Sequence, residues 1–173
     1  ASFLISKSGL IQELIQRAEH LAQLLQVRLP EYVVCHSALH AGNILIDIHG
    51  RLYLVDWDES ILAPKERDLM FIGGAQGFTG HSLSDEENLF YQGYGQTNIN
   101  PVALSYYRYE RIIQDIAAYC QQIFLASDDG EDRLQSLHYL KTNFLPDNTI
   151  AVAYRTDLTG EIGNQISVYS DEK

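Results

Sequence analysis

Apolar residues recur at Ile11, Leu14, Ile15, Ala18, Leu21, Ala22 and Leu25. Steps of three and four residues put them on one face and predict an amphipathic helix over about residues 8–26, closed by Pro30. Tyr32, Val33, Val34 and Cys35 form a short extended run, and a polar, glycine-containing loop follows over 36–43. The apolar runs 44–47 and 51–55 flank the turn-prone Ile48-His49-Gly50, which predicts a β-hairpin.

Helical spacing returns over 66–72 and stops at Gly73-Gly74. Ser84-Asp85-Glu86-Glu87 reads as a capping box, and Asn100-Pro101 as an N-cap followed by proline at the first helical position. Ile112, Ile113, Ile116, Ala117, Cys120, Ile123 and Phe124 mark the inward face of a long helix, broken by residues 127–130. A last helix is expected over about 131–144, with Leu134, Leu137 and Leu140 inward and Pro146 as its stop. Residues 147–173 lack clear periodicity and read as a loosely attached tail behind a domain of residues 1–146. The fold class is therefore mainly α with one small β-hairpin.

Composition narrows the function. The 173 residues suit one domain, 46% are hydrophobic and 20% charged, an ordinary globular balance. A net charge of −11 argues against nucleic acid as partner and suits a cationic small molecule. No apolar run approaches a membrane span, so no membrane partner is expected. Cys35 and Cys120 lie in unrelated apolar contexts and read as core thiols of a reducing compartment.

The chemistry concentrates in His36-Ser37-Ala38-Leu39-His40-Ala41-Gly42-Asn43, the hairpin, and Asp56-Trp57-Asp58. An antiparallel hairpin returns the chain to its start, so Asn43 and Asp56 should converge to about one strand spacing, roughly 5 Å. An amide oxygen and a carboxylate so placed suit a hard cation such as Mg²⁺. Taken singly, the same residues equally suit a loop cap and a strand-ending turn. His36 and His40 are four apart, a zinc-chelating spacing on a helix, but Gly42 and the loop composition argue against a helix there.

The whole pattern resembles the His-x-Asp-x-x-x-x-Asn segment, hairpin and Asp of aminoglycoside and choline kinases. It is most similar to the aminoglycoside phosphotransferases of the spectinomycin type, which share Cys35-His36-Ser37, His40-Ala41-Gly42-Asn43, Asp56-Trp57-Asp58-Glu59, residues 62–74, Tyr106-Tyr107-Arg108 and Glu110-Arg111-Ile112. The resemblance covers about residues 8–144 and implies the C-terminal lobe of a protein-kinase-like (α+β) fold. It implies a cytoplasmic enzyme that transfers phosphate from ATP or GTP, with Mg, to a cationic antibiotic, conferring resistance. It further makes His36 a scaffold of the loop, Asn43 and Asp56 metal ligands, and Asp68 a hydrogen-bond partner of the loop. On the substrate side it points to Trp57, Asp58, Glu59, Glu110, Asp115, Tyr106 and Tyr107, since amine-bearing substrates need carboxylates and flat apolar walls.

The chain departs from that family in two respects. Ala38 stands where the family has its catalytic Asp, and loss of a general base typically costs ~10²–10⁴ in rate. His40 and Asp58 are the alternative bases. No glycine-rich loop with a following Val-Ala-x-Lys-type strand is present, and Gly73-Gly74-x-x-Gly77 lacks the lysine of a P-loop. The nucleotide-binding N-lobe is thus expected to be absent, and nucleotide binding by this chain alone weak or absent. The chain opens on Ala1, as expected of a sequence that begins inside a longer protein. Another small-molecule kinase of the choline, homoserine or fructosamine type, or a non-catalytic kinase-like binding module, is the alternative function.

Overall fold

A computed structural model describes residues 2–74, 82–125 and 130–157. Gly77, the expected break at 127–129 and the end of the tail, 158–173, lie outside these residues. The elements run α1 (Ser2–Val27), β1 (Val33–Cys35), a single 3-10 turn (Ala41–Asn43), β2 (Ile44–Ile46), β3 (Leu52–Leu54), β4 (Ile61–Ala63), α2 (Glu66–Leu69), α3 (Leu83–Tyr94), α4 (Pro101–Phe124), α5 (Glu131–Thr142) and α6 (Thr149–Thr156).

The core is helical. Leu14, Ala18 and Leu21 of α1 face Tyr109, Ile112 and Ile116 of α4, with Leu140 of α5 and Ile150 and Ala153 of α6 completing the cluster. Each set follows the three- and four-residue steps of one helix face. Burying each large side chain contributes about 1.5–3 kcal/mol. α1 starts at Ser2, earlier than the periodicity from Ile11 suggests, because Phe3 and Leu4 also pack on the core and Phe3 meets the Phe144 ring edge-on at 5.4 Å.

The tail expectation fails over 149–156. Asn148 caps α6 through its side chain, and Thr149, Ile150, Val152 and Ala153 are buried. Beyond the helix, Asp157 Oδ2 accepts from Tyr109 Oη and Arg17 Nη1, both at 3.1 Å, which ties the end of α6 to α4 and α1. Eight residues are too few to display periodicity, so only the tertiary partner reveals this helix.

Smaller differences have similar causes. The N-cap of α3 is Ser82, whose Oγ accepts from Asp85 N at 3.2 Å, so the cap lies two residues upstream of the expected Ser84 box. Leu134 is 69% exposed, and Phe124 and Ala117 are exposed as well, so these three do not belong to the expected inward faces. At α4, Asn100 Oδ1 accepts from Val102 N and Ala103 N, with Pro101 following.

Two small antiparallel sheets carry the polar loop. β2 and β3 form the hairpin, in register Ile44↔Leu54, Leu45↔Tyr53 and Ile46↔Leu52. Asp47 closes its turn, Oδ1 accepting from His49 N and Arg51 N, while Gly50 supplies the positive φ of 77°. β4, which no sequence signal marked, pairs with β1 in register Val33↔Ala63 to Cys35↔Ile61. The inner face holds Cys35 and Ala63, and the outer face exposes Val34 and Leu62.

Candidate active site

The loop leaving β1 is held from below. Asp68, on α2, accepts from His36 N at 2.9 Å and Ser37 N at 2.7 Å, one carboxylate oxygen to each amide. Such charge-assisted pairs are about twice as strong as neutral ones. They hold Ser37 at φ 70°, a left-handed conformation that non-glycine residues seldom adopt. The Ser37 hydroxyl is buried there with no partner among the described residues.

His36 fastens the loop from the other side. Its Nε2 lies 2.8 Å from the Val55 carbonyl, which can only accept, so Nε2 carries the proton. Its ring packs on Trp57 at 4.6 Å, and Trp57 Nε1 donates to Leu54 O at 2.9 Å. The loop is not a helix, and His36 and His40 are engaged in different contacts. Cys35 sits behind the loop; burial pushes its thiol up to about 11, with the Asp68 charge adding to the shift, so it stays an inert core thiol.

Asn43 and the hairpin end come together through backbone pairing. Val55 N donates to Asn43 O at 3.1 Å, which extends the β2–β3 ladder one step, and Asp56 is the next residue along. Asn43 Nδ2 donates to Ala38 O at 2.9 Å, so the amide is oriented and Oδ1 takes no hydrogen bond among the described residues. Asp56 is exposed and has φ 65°, again left-handed. The anchored Asn43 amide and the Asp56 carboxylate, which makes no ion pair among the described residues, are oxygen donors of the kind that fits a hard divalent cation. Among the described residues no cluster of three or more His, Cys, Asp or Glu side chains could hold a metal.

Ala38 is buried, its carbonyl accepting from His40 N at 2.9 Å as well as from Asn43. His40 does not suit the role of replacement base. Its Nδ1 accepts from Gly42 N at 3.2 Å, capping the 3-10 turn, so the neutral ring carries its proton on Nε2. Burial, then the Arg111 charge, hold its pKa below the usual value and keep it neutral. His40 thus presents an N–H donor, and its ring meets Phe71 edge-on at 5.8 Å. Asp58 lies exposed on the turn before β4 with Glu59.

The remaining substrate-side candidates divide into two groups on α4. Asp115 pairs with Arg111 at 2.9 Å; burial pushes its carboxyl up, Arg111 opposes the shift, and its charge is felt at His40. Glu110, Tyr106 and Tyr107 instead surround Arg67. Glu110 Oε2 meets Arg67 Nη1 at 2.8 Å, Tyr106 Oη donates to Glu110 at 2.8 Å, and the Arg67 guanidinium lies 5.6 Å from the Tyr107 ring. Burial first, then Glu110, push the Tyr107 phenol up to about 12. Among the described residues these three bind α4 to α2.

Sequence reasoning missed Glu66, Arg67, Arg108 and Arg111 as structural charges. Glu66 is buried and accepts from Asn100 N at 2.9 Å, which joins α2 to the start of α4. The signal available was the charge run Lys65-Glu66-Arg67-Asp68 set between Pro64 and Leu69, since buried charges need partners.

The geometry agrees with two comparisons. The model of the phosphotransferase enzyme family known as APH matches residues 6–98, more than half of the chain. The chain belongs to the APH phosphotransferase family. The crystal structure of spectinomycin phosphotransferase APH(9)-Ia in complex with ADP and spectinomycin matches with a TM-score of 0.78 and 43% identity, over 90% of this chain and 47% of that one. The AMP-bound complex of the same enzyme matches with a TM-score of 0.76 and 42% identity, over 90% and 48%. This phosphotransferase-family chain therefore spans about half the length of the solved structures it matches. Among its described residues no helix is long and apolar enough to cross a membrane.

Proposed function

We propose that this chain is the acceptor-side lobe of an aminocyclitol O-phosphotransferase that uses ATP or GTP with Mg and acts on a spectinomycin-type cationic antibiotic. The observation that carries the reading is Asn43: its amide is anchored to Ala38 O and its carbonyl joins the hairpin ladder one residue before Asp56. The 43% identity to a spectinomycin phosphotransferase supports the acceptor class. Asn43 and Asp56 would hold the metal, which supplies charge neutralisation at the transferring phosphate. Trp57, against His36, and Asp115, whose charge is felt at His40, would with Asp58 and Glu59 offer carboxylates and an aromatic wall to a polyamine substrate. The acidic net charge of −11 favours such a ligand.

With Ala38 at the base position, the chain orients substrate but has no carboxylate to take the hydroxyl proton. Transfer also needs a further nucleotide-binding lobe. The exposed pair Val34 (69%) and Leu62 (68%), and the hairpin residues Ile46 and Leu52, support a covering partner, since apolar pairs of this kind rarely face water. Calorimetry tests the reading: this chain alone should bind Mg-ATP weakly and transfer no phosphate, and micromolar affinity would contradict it. Ala38→Asp in a chain joined to such a lobe should phosphorylate spectinomycin, at about 10²–10⁴ times the rate of its Ala38 counterpart. Ala38 also favours a second reading, a non-catalytic binding module. That reading gains if Ala38→Asp binds spectinomycin without turnover.

A further inference from the structure

Arg108 is a deeply enclosed charge, only 5% exposed. Its Nη2 donates to Ile72 O at 2.8 Å and its Nε to Met70 O at 3.3 Å, but Nη1 is buried without a partner among the described residues. The nearest carboxylate, Glu87, stands 3.9 Å from Nη2 on a side chain 46% exposed to water, where its charge is screened. Three residues along the same face of α4, Arg111 presents a second guanidinium. Its buried Nε forms an ion pair with Asp115 at 2.9 Å, which offsets part of its charge.

A cavity of about 10 Å³ lies between them, walled by Met70, Phe71 and Ile112 and reached by Thr149. Two cations lining one small void repel each other, and burial disfavours the charge on Arg108. A negative charge in the void would offset both effects. The volume limits its size: there is room for about one water-sized sphere, so an oxyanion such as phosphate or sulfate does not fit. The Phe71 and Ile112 walls suit a polarisable, weakly hydrated ion.

We infer that the cavity between Arg108 and Arg111 binds one halide-sized monovalent anion, chloride under ordinary ionic conditions. The site stands apart from the proposed metal residues, and Arg111 links it to Asp115 on the proposed substrate side. It braces α4 against the segment carrying Phe71, and through Phe71 it backs the His40 end of the loop.

The test has two arms that use the chain as it is. In thermal unfolding at constant ionic strength, chloride should raise Tm over gluconate saturably, by about 3–6 °C at ten times its Kd. Anomalous scattering from bromide-soaked crystals should place one peak between Arg108 and Arg111. Arg108→Gln, or Arg111→Gln if the first does not fold, should abolish the chloride dependence. Equal melting in both salts, or an ordered water with no bromide peak, overturns the proposal.

Discussion

The Asp68 carboxylate lies 2.7 Å from the backbone amide of Ser37, 31 residues earlier in the chain, with the His36 amide on its other oxygen. One side chain of α2 thereby sets the conformation of the loop that carries Ala38 and Asn43. Asp68→Ala leaves two amides in a part-buried place without acceptors. The expected loss is about 2–4 kcal/mol, read from urea unfolding. Asp68→Asn should lose less, keeping one acceptor but turning an NH₂ towards an N–H.

Ser37→Gly should stabilise the chain. Glycine accepts φ 70° without the side-chain clash, and the change removes a buried hydroxyl that has no partner among the described residues. Against this stands the extra freedom of glycine in the unfolded chain, about 0.5–1 kcal/mol. The net gain expected is about 1 kcal/mol, visible as a higher urea midpoint at unchanged slope.

His40 makes stability depend on pH. Its folded pKa is held below the ordinary imidazole value of about 6.5, so the unfolded state binds the proton more readily. The contribution is fully present above pH 6.5 and is lost as pH falls through the folded value. Wild-type stability should therefore fall on acidification below pH 6.5, and His40→Asn, which retains a side-chain cap acceptor, should flatten that decline. The same slope in both proteins would remove His40 from the account.

Ile150→Ala tests the docking of α6. The side chain is buried in the main cluster, so the cost should reach about 2–4 kcal/mol. An exposed position such as Leu134→Ala, on the outward face of α5, should change stability by less than about 0.5 kcal/mol. Thermal melts of the two variants side by side distinguish a packed helix from a loose tail.

Local signals were legible where one short stretch of chain contains the whole cause. Asn100 caps α4 through its own side chain ahead of Pro101, and Asp47 and Gly50 close their own turn. The α1 face at Leu14, Ala18 and Leu21 shows in its own periodicity. β4 was not legible because its three residues gain their order from β1, far away in sequence. Glu110 and Tyr106 looked like free polar groups because nothing local reveals Arg67 opposite them.

The sequence by itself determined the helices as far as α5, the hairpin and the order of loop, Asn43 and Asp56 along it, since these depend on spacing between near neighbours. Only the tertiary structure decided that α6 belongs to the core, that His40 Nδ1 is taken up by the Gly42 amide, and that Arg67 and Arg108 are enclosed. Burial and charge pairing depend on which distant segments meet, and that is a property of the packed chain.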